Sequence, residues 1–142
     1  MAMKILFLCV ANSARSQLAE GLARVIFPDA EIQSAGSSPA KLSPYAVAVM
    51  DEIGIDISQN RSKSVDEFAG QEIDYVLTVC DNAQENCPYF PAKTRLVHHA
   101  FDDPAAVEGD EETRLAAFRR VRDEISDYLR SEYSQIIGLS GQ

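Results

Sequence analysis

Lys4-Ile5-Leu6-Phe7-Leu8, followed by Cys9-Val10-Ala11-Asn12-Ser13-Ala14-Arg15-Ser16, decides the fold of this chain. A nearly continuous apolar run of this length is what a central parallel strand needs, because both its faces are covered. The next residues are small and polar, which suits a turn. From about Ser16 the pattern changes to helical spacing, with Leu18, Ala19, Leu22, Val25 and Ile26 on one stripe. Pro28 stops that helix. The unit is therefore strand, loop, helix.

The same alternation continues outward. Residues 31–36 form a second short strand that ends in a turn at Gly36. Ser43-Pro44 starts a helix with Ser as N-cap and Pro at the first helical position. Val47, Met50 and Ile53 give it a buried face, and Gly54 ends it. Ser64-Val65-Asp66-Glu67 has capping-box spacing and opens a short helix that ends at Gly70. A third strand at 73–79 runs straight into Cys80. A polar segment follows, then Pro88 and Pro91, then a fourth strand at 94–98. The last helix spans about 111–133, with Leu115, Phe118, Val121, Ile125, Tyr128 and Leu129 at helical spacing. Its charged residues, such as Arg119, Arg120, Arg122, Asp123 and Glu124, form a solvated face. The expectation is one α/β domain over residues 1–142. It has a four-stranded, mainly parallel sheet with helices on both faces. Ligands of such folds sit beyond the carboxyl ends of the strands. Cys9, Cys80 and the segment after His99 all converge there. His98 and His99 are adjacent in a strand and point to opposite faces, so they cannot both serve one site. Both read as structural.

Composition narrows the function. The 142 residues suit one core, and 46% hydrophobic content is ordinary for a globular protein. A net charge of -9 argues against nucleic acid as partner, since phosphate backbones need a basic surface. No apolar run approaches the roughly 20 residues of a membrane span. The apolar N-terminal stretch is too short for a signal peptide, so a cytoplasmic location is expected. The cysteines are Cys9, Cys80 and Cys87. An odd count without a secretory signal argues against a static disulfide framework. Their spacing fits no zinc site, and no metal or other cofactor is expected.

Cys9 and Arg15 bracket the loop between strand and helix. Its backbone N–H groups and the helix N-terminus can surround a tetrahedral oxyanion. Val10, Ala11, Asn12, Ser13, Ala14 and Arg15 are the candidate oxyanion-binding residues. The Arg15 guanidinium offers a planar fork to two oxygens. The same positive field favours a thiolate at Cys9, which makes it the candidate nucleophile. Ser16 can donate its hydroxyl to that thiolate, and Asn12 can bond across the loop and hold its shape. Phe101-Asp102-Asp103-Pro104 is by itself a turn. Beside such a loop, Asp103 becomes the favoured general acid for an oxygen expelled by the thiolate. Asp102 is a structural or solvated neighbour.

With these two elements the chain resembles the low-molecular-weight protein tyrosine phosphatase superfamily, in order and length over almost its whole extent. Within it, the chain is most similar to the thioredoxin-coupled arsenate reductases. Gln17-Leu18-Ala19-Glu20-Gly21 follows Ser16 where the phosphatases usually place Pro. Ala105-Ala106 follows Asp103-Pro104 where they usually place an aromatic residue. Thr78-Val79-Cys80-Asp81 through Asn86-Cys87-Pro88 matches the reductases' redox pair.

The resemblance implies catalytic roles for Cys9, Arg15, Ser16, Cys80, Cys87 and Asp103. It implies a Cys9–arsenic adduct, a Cys9–Cys80 disulfide, and then a Cys80–Cys87 disulfide presented to thioredoxin or a similar thiol reductant. The alternative is a phosphatase of phosphotyrosine or small phosphoesters that uses Cys9 and Asp103. A non-enzymatic arsenic sensor is a third reading, against which an intact Arg15 and Asp103 count. There are departures. Ala11 stands where the reductases usually have Gly, and its Cβ can restrict the loop. His99-Ala100 stands where Trp-Gly is common. Some relatives hold potassium beside the loop at positions matched by Asn12, Glu20 and a Ser near Ser34. Lys63 takes the place of the last acid. It is either an ammonium in place of the cation or a solvated surface amine.

Overall fold

The structure is a computed structural model that describes residues 2–81 and 87–139. Its centre is β1 (Lys4–Cys9), paired in parallel with β2 (Glu31–Gly36) on one side and β3 (Tyr75–Thr78) on the other. The strand β4 (Arg95–His98) extends the sheet beside β3, giving the order β2-β1-β3-β4, parallel throughout. The apolar run at 4–8 is buried on both sides, as a central strand requires.

One face of β1 presents Ile5, Phe7 and Cys9 to the larger core. The helices α1 (Arg15–Ile26), α2 (Pro44–Asp51) and α3 (Glu111–Tyr128) cover it. The other face presents Leu6 and Leu8, covered by Phe68 from the short 3₁₀ turn Val65–Phe68 and by Phe90. Among the described residues, helical cover is thus heavy on one face and a single turn on the other. Ser43 caps α2 by accepting from the Ala46 N–H, and Asp110 caps α3 by accepting from the Thr113 N–H.

Several expectations shift. On α1, Leu18, Ala19, Leu22 and Ile26 are buried but Val25 is exposed. On α2 the buried stripe is Ala46, Val49 and Met50. Ile53 is exposed, because the helix has ended at Asp51 and Ile53 lies in the following turn. Arg122 is not on a solvated face. It is 8% exposed and donates to the Val49 carbonyl (2.8 Å) and to Glu52 (3.0 Å), tying α3 to α2. The helix expected over 111–133 is interrupted after Tyr128 by a π-helical turn, Leu129–Tyr133, before α4 (Ser134–Ile137). The hydroxyls of Ser131 and Ser134 donate to the Asp127 and Arg130 carbonyls and compete with the regular ladder. The wider turn lets Tyr128, Leu129 and Tyr133 all enter the core.

The polar segment expected between Cys80 and Cys87 falls, at 82–86, outside the described residues. Among the described residues no helix is long and apolar enough to cross a membrane.

Candidate functional site

The loop at the end of β1 is held from outside by its carbonyl groups. Val10, Ala11 and Ser13 carbonyls accept from the N–H groups of Ser38 (2.9 Å), Ala40 (2.9 Å) and Ser43 (3.0 Å). The Asn12 carbonyl accepts from Ser62 Oγ (2.7 Å) and Gln17 Nε2 (3.2 Å). In a trans peptide the N–H of the next residue points opposite to the carbonyl. The amides of Ala11, Asn12, Ser13 and Ala14 therefore turn inward. The Asn12 N–H lies 3.3 Å from Cys9 Sγ, consistent with that direction. The helix α1 begins at Arg15 with no side-chain cap, so its first amides also face this space.

The pocket so formed has a volume of about 200 Å³ and is lined by Cys9, Val10, Ala11, Ser13, Ala14, Arg15, Asp103 and Ala105. Asn12 does not line it. Fully buried, it lies beneath the loop in a left-handed conformation (φ 50°) that Asn tolerates better than most residues. That conformation falls on Asn12 and not on Ala11, so the Ala11 Cβ meets no such strain.

Cys9 is buried, and its Sγ lies 2.8 Å from Ser16 Oγ. Arg15 is buried too. Its Nη1 donates to the Phe101 carbonyl (3.2 Å), and its Nη2 lies 3.8 Å from Asp103 Oδ2. The other Asp103 oxygen caps the 3₁₀ turn Pro104–Ala106 by accepting from the Ala105 N–H at 3.0 Å. One carboxyl thus both closes the turn and faces the pocket. Asp102 points away and pairs with Arg120 (3.2 Å).

Cys80 follows β3. The register sets Leu8 beside Thr78, so Cys80 lies one step beyond the position aligned with Cys9. Cys9 and Cys80 thus stand at the carboxyl ends of adjacent strands. The backbone bends at Cys80, and Cys80 packs in the same core as Cys9. Cys80 and Cys87 are disulfide-bonded with their Cα atoms 6.0 Å apart, and Cys9 is free. The two histidines separate as expected. His98 Nδ1 meets Thr78 Oγ1, and His99 stacks on Tyr128 at 4.0 Å between ring centres.

Sequence reasoning underrated what lies beneath the loop. Lys63 is 8% exposed, which rules out the solvated-amine reading, and its ammonium lies 3.5 Å from Glu20 Oε1. Ser34 Oγ donates to that same oxygen (2.7 Å) and accepts from Asn12 Nδ2 (2.9 Å). Gly36, which in the sequence reads only as a turn, stands against the loop backbone. A Cβ there would meet the Val10 carbonyl oxygen and stand 2.9 Å from the Asn12 nitrogen. Gly36→Ala is therefore expected to displace the loop amides. Affinity for inorganic phosphate, measured by calorimetry, should fall about tenfold or more, the scale of one charge-assisted hydrogen bond. Unchanged affinity would mean the loop yields without cost.

Residues 4–136 match the family described as low molecular weight phosphotyrosine protein phosphatase. An arsenate reductase from Halalkalibacterium halodurans is 44% identical over 128 residues, 89% of this chain and 92% of that protein. A solved arsenate reductase in the phosphate binding state superposes with a TM-score of 0.78 at 27% identity, over 97% of this chain and 99% of that one. A thioredoxin-dependent arsenate reductase from Corynebacterium glutamicum superposes with a TM-score of 0.69 at 27% identity, over 96% of this chain and 62% of that one.

Proposed function

The chain belongs to the low molecular weight phosphotyrosine protein phosphatase family, and on that basis we propose that it reduces arsenate to arsenite with three cysteines. The observation that carries this reading is the Cys80–Cys87 disulfide beside a free Cys9 in an oxyanion loop. A phosphatase cycle needs only the loop and an acid. It has no use for a second and third thiol at the end of the neighbouring strand.

The Cys9 thiolate attacks arsenic and expels one oxygen, which leaves as water after protonation by Asp103. The inward amides and Arg15 hold the remaining oxygens. Cys80 then attacks Cys9 Sγ. A sulfur–sulfur bond forms, the sulfur–arsenic bond breaks, and its electron pair stays on arsenic. Arsenic(V) becomes arsenic(III), and arsenite leaves. Cys87 attacks Cys80, which frees the Cys9 thiolate and leaves the Cys80–Cys87 disulfide. A thioredoxin-like dithiol supplies the two electrons that reset the enzyme.

The test is an assay with arsenate, thioredoxin, thioredoxin reductase and NADPH, run beside an aryl phosphate substrate. Arsenate-dependent NADPH oxidation is expected. Phosphate release without it would favour the phosphatase reading. Asp103→Asn should lower arsenate turnover by about 10²-fold or more, the usual loss of a positioned proton donor. Asp102→Asn should do much less, because that side chain is turned to Arg120. Reversal of that order in steady-state rates would move the acid to Asp102.

A further inference from the structure

We propose that Gln17 is a positioning residue for the nucleophile: it holds Asn12 so that the only hydroxyl proton of Ser16 falls on Cys9. Gln17 is 0% exposed, lies one residue beyond the loop, and touches neither the pocket nor Cys9. Its contacts are unusual in their polarity. Its Nε2 faces three acceptors: the Asn12 carbonyl (3.2 Å), Asn12 Oδ1 (3.1 Å) and the Arg61 carbonyl (3.1 Å). Two of these are backbone oxygens, which only accept, so the amide has one permitted orientation. On its other side, Gln17 Oε1 accepts from Asn60 Nδ2 (3.1 Å), which also donates to Glu20 Oε2 (3.0 Å).

That orientation passes to the next amide. Asn12 Oδ1 accepts from Gln17 Nε2 and from the Lys63 N–H (2.9 Å). Its Nδ2 must then face the other way, and its two hydrogens go to Ser34 Oγ (2.9 Å) and Ser16 Oγ (2.8 Å). Ser34 uses its own proton on Glu20 (2.7 Å). Ser16 accepts from Asn12, and the partner left for its proton is Cys9 Sγ at 2.8 Å. A hydrogen bond donated to sulfur favours the thiolate over the thiol. Gln17 also anchors the carbonyl of Asn12, the residue in the left-handed conformation.

The inference concerns the nucleophile of the proposed reaction, but its test does not use arsenate, so the two can fail separately. In the oxidised protein Cys9 is the free cysteine, so iodoacetamide reports on it alone. The pH profile of its alkylation is measured for the wild type, Gln17→Met, Ser16→Ala and the double variant. Gln17→Met keeps the length and removes every hydrogen bond. Its alkylation midpoint should rise by about one pH unit, a loss of about tenfold in rate below the midpoint. In the Ser16→Ala background the same change should shift the midpoint by little, because the effect travels through Ser16. Equal shifts in both backgrounds, or no shift in the wild type, would overturn the proposal. Circular dichroism checks that each variant is folded. If Gln17→Met is not, Asn60→Ala takes its place, since it removes the partner that turns Gln17 Oε1 outward, together with one donor to Glu20. It should shift the midpoint in the same direction by a smaller amount, and an unmoved midpoint would overturn the proposal equally.

Discussion

Cys9→Ser is expected to abolish arsenate turnover, by about 10⁵-fold or more, the scale on which loss of a nucleophile acts. A hydroxyl in this position stays protonated at neutral pH, and the field of Arg15 and the inward amides is too small to ionise it. The same field is untouched by the substitution. Phosphate should therefore bind Cys9→Ser within about threefold of the wild type, since the anion is held by Arg15 and the amides. Any activity on aryl phosphates should vanish as well. Calorimetry with phosphate and a stopped assay for arsenite separate the two effects. Retained turnover would place the nucleophile elsewhere, and lost phosphate binding would mean that the sulfur shapes the loop.

The pocket and its support were not equally legible in the sequence. The strand at 4–8 and the helix that follows were visible because each has its own hydrophobic period, and the loop between them had no alternative place. Asp103 was found through its neighbour Pro104, because a turn signal is local. The layer beneath the loop was not legible in the same way. Glu20, Ser34, and Asn60 with Lys63 come from three separate segments, no spacing links them, and only the family resemblance drew attention to Glu20, Ser34 and Lys63. Gln17 could have been suspected from one sign: a long polar amide on the buried stripe beside Leu18 must satisfy both its ends. Arg122 departs from expectation for the related reason that a charged residue on an amphipathic helix reads as solvated, whereas here the Val49 carbonyl on α2 and Glu52 just beyond it compensate its burial. The break at Leu129–Tyr133 was hidden because a π-helical turn inserts a residue without any breaker such as Pro or Gly.

Cys87→Ser should convert a catalyst into a single-use reagent. The outcome depends on which sulfurs can meet. Cys80 follows the strand beside that of Cys9 and packs in the same buried core. Its Cα is 6.0 Å from that of Cys87. Cys80 is thus the central sulfur, able to bond to either neighbour in turn. Without Cys87, the first two bond exchanges remain possible. One arsenite should form per enzyme, and the protein should stop as a Cys9–Cys80 disulfide, seen by mass spectrometry as a loss of two hydrogens and by peptide mapping. Rescue by an external dithiol is opposed by burial, for Cys9 is 2% and Cys80 0% exposed, whereas Cys87 is only half-buried. Exchange to Cys87 therefore moves the oxidised pair from a closed position to an open one, which is what a reductant the size of a protein needs. Cys80→Ser should behave differently, leaving Cys9 able to attack but releasing no arsenite. Steady multiple turnover of Cys87→Ser with thioredoxin would show that the Cys9–Cys80 bond is reached directly and would remove Cys87 from the main path.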